Sequence, residues 1–163
     1  MKPLRVTLGL LTIWMVCAGF QPETSDKIAK STTRDIYREM LVAINAERTK
    51  EGLAPLEIDE KLNEACGWMA EDVSTFEKLS HTDSRGRTPD VRADEAGYDW
   101  GFIAENICGG AKTPKEAVEL WMKSKNHRKN MLSPQAKHLG VGYYFRPKSK
   151  SLSYWVVLFG ATR

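Results

Sequence analysis

The segment Tyr154-Trp155-Val156-Val157-Leu158-Phe159 is apolar at every position, and this constrains the fold more than any other feature of the chain. A strand turns successive side chains to opposite faces of its sheet, so a run without polar alternates must be covered on both sides. Just before it, Val141, Tyr143 and Phe145 alternate in the manner of a second strand. Gly140 and Gly142 in that strand suit a place where another backbone approaches closely. Earlier parts of the chain must supply both covering layers.

Those parts read as helices. Ile36, Met40 and Ile44 recur every fourth residue with Leu41 beside them, and Gly52 beyond Lys50 is a stop signal. A second helix is predicted from about Asp59 to Leu79, with Leu62, Cys66, Met69, Val73 and Phe76 on one face. Thr88, Pro89 and Gly97 frame a short third helix. A fourth opens on the capping box Thr113-Pro114-Lys115-Glu116 and buries Ala117, Val118, Trp121 and Met122. Helices first and a mostly antiparallel, doubly covered sheet last predict an α+β domain, a three-layer α-β-α sandwich. A chain of 163 residues suits one such domain, and it contains no internal repeat or low-complexity tract.

The N-terminus has a different character. Lys2 and Arg5 precede the apolar stretch from Val6 to Cys17, and the small residues Cys17, Ala18 and Gly19 lead into a polar segment. This is the layout of a secretory signal over residues 1–19, followed by a polar linker over 20–33 and a folded domain over 34–163. Retained, the segment would instead be an anchor, and only then is membrane association expected. A lipid anchor through Cys17 is disfavoured by the bulky Trp14, Met15 and Val16. Cleavage would take two positive charges from a formal net charge of +3, which leaves no basic stripe for nucleic acid. The basic Arg146-Pro147-Lys148-Ser149-Lys150 reads as a solvated loop tip. The expected location is secreted or periplasmic, where Cys66 and Cys108 either bridge or remain two small buried residues.

Three residues stand out chemically. Glu105 interrupts Phe102-Ile103-Ala104-Glu105-Asn106-Ile107, and a carboxylate buried there would cost several kcal/mol unless paired. His81 follows the second helix, and His127 follows the fourth, with Asn126 as N-cap of a further turn. Either imidazole can switch protonation near neutral pH or ligate a metal, and both would suit Glu105 as partners. Each also has a plainer reading, as a helix-end or surface histidine. His138, between Lys137 and Leu139, reads as a bystander. No His-Glu-x-x-His, Gly-x-Ser-x-Gly or phosphate loop is present.

Taken in order, five pieces resemble the bacterial branch of the CAP superfamily, the cysteine-rich secretory, antigen 5 and pathogenesis-related-1 proteins, also called the SCP domain. They are Leu79-Ser80-His81-x-Asp83-Ser84, Ala104-Glu105-Asn106-Ile107, Trp121-Met122-x-Ser124-x-x-His127-Arg128-x-Asn130-Met131-Leu132, Leu139-Gly140-Val141-Gly142-Tyr143 and the closing Tyr154 to Gly160. The resemblance covers about Tyr37 to Gly160. It implies an α-β-α sandwich with two histidines and two acids in a central cleft, His81, Glu105 and His127 taking three of those places. Ala104 stands where the family signature has glycine, and Ser124 where eukaryotic members have the second acid. Glu119 does not replace it, lying roughly 140° around the helix from Ser124. Asp83 is the candidate neighbour instead, and Asp83, Asn106 and Ser124 are expected to line the cleft.

The resemblance therefore implies a His-Glu-His site. His81 and His127 could hold zinc or another divalent ion weakly, short of the usual three or four protein ligands, and no cofactor is required. Three roles follow. A binding module would take a lipid, a cell-wall glycan or a partner protein. A hydrolase of peptidase type would use Glu105 or His81 as general base on a water. A purely structural cluster would hold helices to the sheet. The binding module is favoured, because no activated nucleophile is evident and the second acid is missing.

Overall fold

The computed structural model describes the backbone from residue 23 and whole residues from residue 33 to the C-terminus. The leader expected over residues 1–19 and the start of the linker lie outside the described residues. In chain order the elements are α1 (Glu23–Lys50), β1 (Glu57–Ile58), α2 (Glu60–Phe76), α3 (Pro89–Glu95), β2 (Trp100–Gly109), α4 (Pro114–Met122), α5 (Lys125–Met131), β3 (His138–Phe145) and β4 (Ser153–Thr162). Helix α1 thus begins ten residues before Thr33, over ground expected to be linker. That stretch contains neither Gly nor Pro after Pro22. Among the described residues no helix is long and apolar enough to cross a membrane.

The sheet order is β1-β3-β4-β2, parallel only between β1 and β3. Apolar on both faces, β4 lies in the interior of the sheet. Tyr154, Val156 and Leu158 pack with Leu62, Met69 and Val73 of α2, while Trp155, Val157 and Phe159 pack with Met40 and Ile44 of α1 and Val118 and Trp121 of α4. The alternation divides one strand between two cores, which is the three-layer arrangement. Each such side chain contributes about 1.5–3 kcal/mol by leaving water.

The two glycines of β3 set the closeness of the α2 layer. A Cβ at Gly140 would lie 2.5 Å from the Leu62 backbone, and one at Gly142 would lie 2.2 Å from the Cys66 carbonyl oxygen. The helix rests its main chain directly on the strand. Asn63 adds a bond across this contact, its Oδ1 accepting from the Val141 N–H at 2.8 Å.

Caps end the helices where their sequences direct. Asp59 accepts from the N–H groups of Lys61 and Leu62 at the start of α2. Thr113 accepts from Glu116 N–H at 3.2 Å, and the Glu116 carboxylate reaches back to Lys112 N–H, one residue before the position expected for a capping box. Helix α2 stops at Phe76, three residues early, because Glu77 adopts a left-handed conformation at φ 51°. Its apolar stripe also outruns the sheet. Val73 is fully buried, but Phe76 is 61% exposed, and the strand hairpin ends level with Thr75, whose hydroxyl accepts from Arg146.

Cys66 and Cys108 are both buried free thiols. Cys66 belongs to the core under α2 and Cys108 to the core under α1 and α4, so the sheet separates them. Of the two expectations, two small buried residues is the one realised. Burial pushes both thiols up in pKa, Cys108 to about 12, which keeps them unreactive.

Candidate functional site

Strand β2 forms one edge of the sheet, and Glu105 lies in its middle with a side chain only 1% exposed. Burying that charge requires compensation, and two partners divide its oxygens. His81 Nδ1 lies 2.8 Å from Oε1, and the fully buried Arg92 donates through Nη2 to Oε2. Arg92 comes from the middle of the short helix α3. Its Nη1 donates to the carbonyls of Arg87 at 2.8 Å and His81 at 3.2 Å, so the cation that neutralises Glu105 also holds the His81 loop. Its Nε is buried without a partner among the described residues.

Two histidines were the expected partners of Glu105; one histidine and an arginine are the partners found. Nothing in the spacing marks Arg92 among the many cations of the chain. The signal available was only the requirement that a buried carboxylate meet a cation.

The other residues reach β2 from its second face. Asn106, next to Glu105, points to the α5 side, where its Nδ2 donates to the carbonyl of His127 at 3.0 Å. Asn130 of α5 donates to Asn106 Oδ1 at 3.0 Å and to the Glu105 carbonyl at 3.1 Å. Asn130 thereby covers a main-chain acceptor that an edge strand would leave open. Helix α5 starts earlier than expected, with Ser124 rather than Asn126 at its N-cap. The Ser124 hydroxyl makes no capping bond, and its carbonyl accepts from Arg128.

Asp83 does not join the histidine and glutamate. Its carboxylate accepts from the N–H groups of Arg85 and Arg87 and from Arg87 Nε at 2.7 Å, closing the loop that carries the Arg87 carbonyl to Arg92. Burial pushes its pKa upward, but the main-chain and guanidinium bonds from Arg87 outweigh this and hold it below the usual range. Glu119 lies away from the site, lining a groove between α1 and α4.

The two imidazoles behave oppositely. The hydrogen bond to the Glu105 carboxylate raises the pKa of His81, overcoming its partial burial. Burial, and then the charge of His81, lowers that of His127. The rings are therefore within electrostatic reach, yet among the described residues the His127 ring makes no hydrogen bond. His81 is 60% exposed in its side chain, and among the described residues nothing bonds its Nε2. It borders a cleft of about 410 Å³ walled by Pro89 and Asp90 on one side and Trp100, Ile103 and Ala104 on the other, with Glu105 at its base.

For a metal, the donors present are His81 Nε2 and the His127 ring. A carboxylate on the far nitrogen of a histidine is the usual orienting arrangement for a ligand, and a depressed pKa keeps His127 in its ligating form. Among the described residues no third His, Cys, Asp or Glu joins them in a cluster. His138 has a different occupation, with Nδ1 2.7 Å from the Tyr98 hydroxyl.

Comparison with known proteins agrees with this architecture. The profile of the CAP family, the cysteine-rich secretory protein family, matches residues 41–159. The uncharacterized protein YkwD of Bacillus subtilis (strain 168) is 36% identical over 147 residues, covering 87% of this chain and 57% of its own length. The uncharacterized membrane protein YlbC of the same organism is 32% identical over 118 residues, covering 72% of this chain and 34% of its own. The chain thus spans about half the length or less of these relatives. Among solved structures, an outer surface protein from Borrelia burgdorferi superposes with a TM-score of 0.71 at 23% identity, covering 80% of this chain and 96% of that one. An extracellular SCP-domain protein from Bacillus anthracis gives 0.70 at 22% identity, over 77% and 40%. With the profile covering most of the domain and the sandwich in place, the chain belongs to the CAP family.

Proposed function

We propose that this CAP domain is exported and serves as a binding module whose ligand enters the cleft between His81 and the edge of β2. The observation that carries this reading is the state of Glu105. Its side chain is only 1% exposed and is bonded on both oxygens, one to His81 and one to Arg92, so little of it is presented to a water in the cleft. What the site offers is an exposed imidazole, its pKa raised by its bond to Glu105, beside an apolar wall, which is recognition chemistry. Export is supported by the leader-like N-terminus and by relatives described as an outer surface protein and an extracellular protein. Lipid, cell-wall glycan and protein are the ligand classes to be tested.

A second reading has its own support. The Glu105–His81 hydrogen bond also orients an imidazole for proton transfer or metal ligation, as a metal-assisted hydrolase would need. A divalent ion on His81 and His127 would supply polarisation of a bound carbonyl. With two protein ligands its hold would be weak.

Co-sedimentation with purified peptidoglycan sacculi and with lipid vesicles, beside selection from a displayed peptide library, tests binding. Retention of none of these probes by the wild-type domain refutes the module. Mass spectrometry of peptide and peptidoglycan mixtures tests hydrolysis, and cleavage abolished by Glu105→Gln would replace binding with catalysis. Calorimetric titration of zinc into the wild type and a His81→Ala/His127→Ala double variant tests the metal; equal heats remove it.

A further inference from the structure

The pairing pattern shows which main-chain groups β2 leaves open. Gly110 N–H bonds Ser153 O at 2.9 Å, and Lys137 N–H bonds Gly160 O at 2.8 Å. Odd-numbered residues of β4 therefore bond toward β2 and even-numbered ones toward β3. Since Phe159 pairs with Ala104 and Val157 with Asn106, Ala104 and Asn106 turn their N–H and C=O inward. Ile103 and Glu105 turn theirs outward, which is why Asn130 meets the Glu105 carbonyl from outside. Among the described residues nothing bonds the Ile103 N–H, the Ile103 C=O or the Glu105 N–H.

Folded proteins protect such edges with charge, proline, a bulge or a covering element. Here α5 covers the far half of β2 through Asn130, and the register shifts only between Trp100 and Phe102. Between them Phe102-Ile103-Ala104 is uncharged and lacks proline, and Ile103 and Ala104 line the cleft together with His81 and Trp100. Open, alternately directed donors and acceptors inside a concave site match the backbone of one ligand class, an extended peptide.

We infer that the cleft binds an extended peptide segment by strand addition, its main chain pairing with the outward N–H and C=O of Ile103 and the outward N–H of Glu105 as a fifth strand. This rests on the binding reading and narrows its ligand class. Main-chain bonds supply the hold, and every second side chain of the peptide enters the cleft against Pro89 and Trp100. His81, with Nδ1 held by Glu105, turns its exposed Nε2 toward the peptide as a further polar contact.

The test uses a phage-displayed library of random linear dodecapeptides selected on the wild-type domain. Selected peptides are then measured on Ile103→Pro and Ile103→Val. Because the Ile103 N–H points away from β4, proline removes the edge donor and leaves the β2–β4 ladder intact, whereas valine keeps the donor. Expected are similar affinities for wild type and I103V, and at least tenfold weaker binding to I103P with unchanged circular dichroism. N-methylation along a selected peptide, measured on the wild type, should weaken binding at every second residue only. This second measurement decides the matter should I103P fail to fold. Equal binding to I103P, N-methyl sensitivity without a two-residue period, or no peptide selected above an unrelated domain each overturns strand addition. Retention on sacculi or vesicles in that event leaves the binding module standing, and loss of all three probes removes both.

Discussion

Replacing Arg92 by methionine tests the central claim about Glu105. Methionine roughly keeps the volume of the stem and removes the guanidinium, which is fully buried and bonds Glu105 and the carbonyls of Arg87 and His81. The change leaves a carboxylate that is 1% exposed with one remaining partner, His81. Removing one member of a buried ion pair costs about 3–5 kcal/mol, chiefly because the other charge stays unsolvated. The two orphaned carbonyls lie nearer the surface and add less. Urea unfolding of the wild type, Arg92→Met, Glu105→Gln and the double variant gives the coupling. If Glu105 is the reason Arg92 matters, the double variant is less destabilised than the singles summed, by about 1–3 kcal/mol for residues in direct contact. Additive losses would refute the pairing as the organising interaction. A loss under about 1 kcal/mol for R92M alone would show that Glu105 finds relief elsewhere.

Further outcomes follow from particular contacts. Because Glu105 raises the folded pKa of His81, its contribution is fully present below the unfolded value near 6.5 and fades as pH rises through the folded value. Urea midpoints from about pH 5.5 to 8.5 should show that slope in the wild type, small because the ring is exposed, and lack it in His81→Ala. The same variant should raise the pKa of His127 by removing a neighbouring positive charge, as read by proton NMR titration; an unmoved His127 would separate the two rings. Gly142→Ala should cost several kcal/mol, since its Cβ would lie 2.2 Å from the Cys66 carbonyl, while Gly67→Ala, with nothing within 4 Å, should stabilise α2 by about 0.5–1 kcal/mol in thermal unfolding. Met69→Ala should cost about 2–5 kcal/mol and Phe76→Ala far less, although both lie on one sequence stripe.

The layered architecture was legible because its causes are local. Two-sided burial of β4, the glycines of β3, and the helix starts at Thr88 and Thr113 each depend on a few neighbouring residues, and each appears at its expected place. Element ends were less legible. Phe76 continues the periodicity of α2 perfectly well, and only the length of the sheet beneath leaves it in water.

Within the site, the sequence by itself determined that a carboxylate stands in an apolar strand and so must be neutralised. Which groups neutralise it was decided by tertiary structure. Spacing along the chain carries no information about which of many arginines and lysines meets a carboxylate, so Arg92 was invisible as the second partner of Glu105. Asp83 could have faced the cleft or its own loop, and the compact turn to Arg87 took it. The open edge at Ile103 is likewise a property of register, which no single strand possesses until its partner is in place.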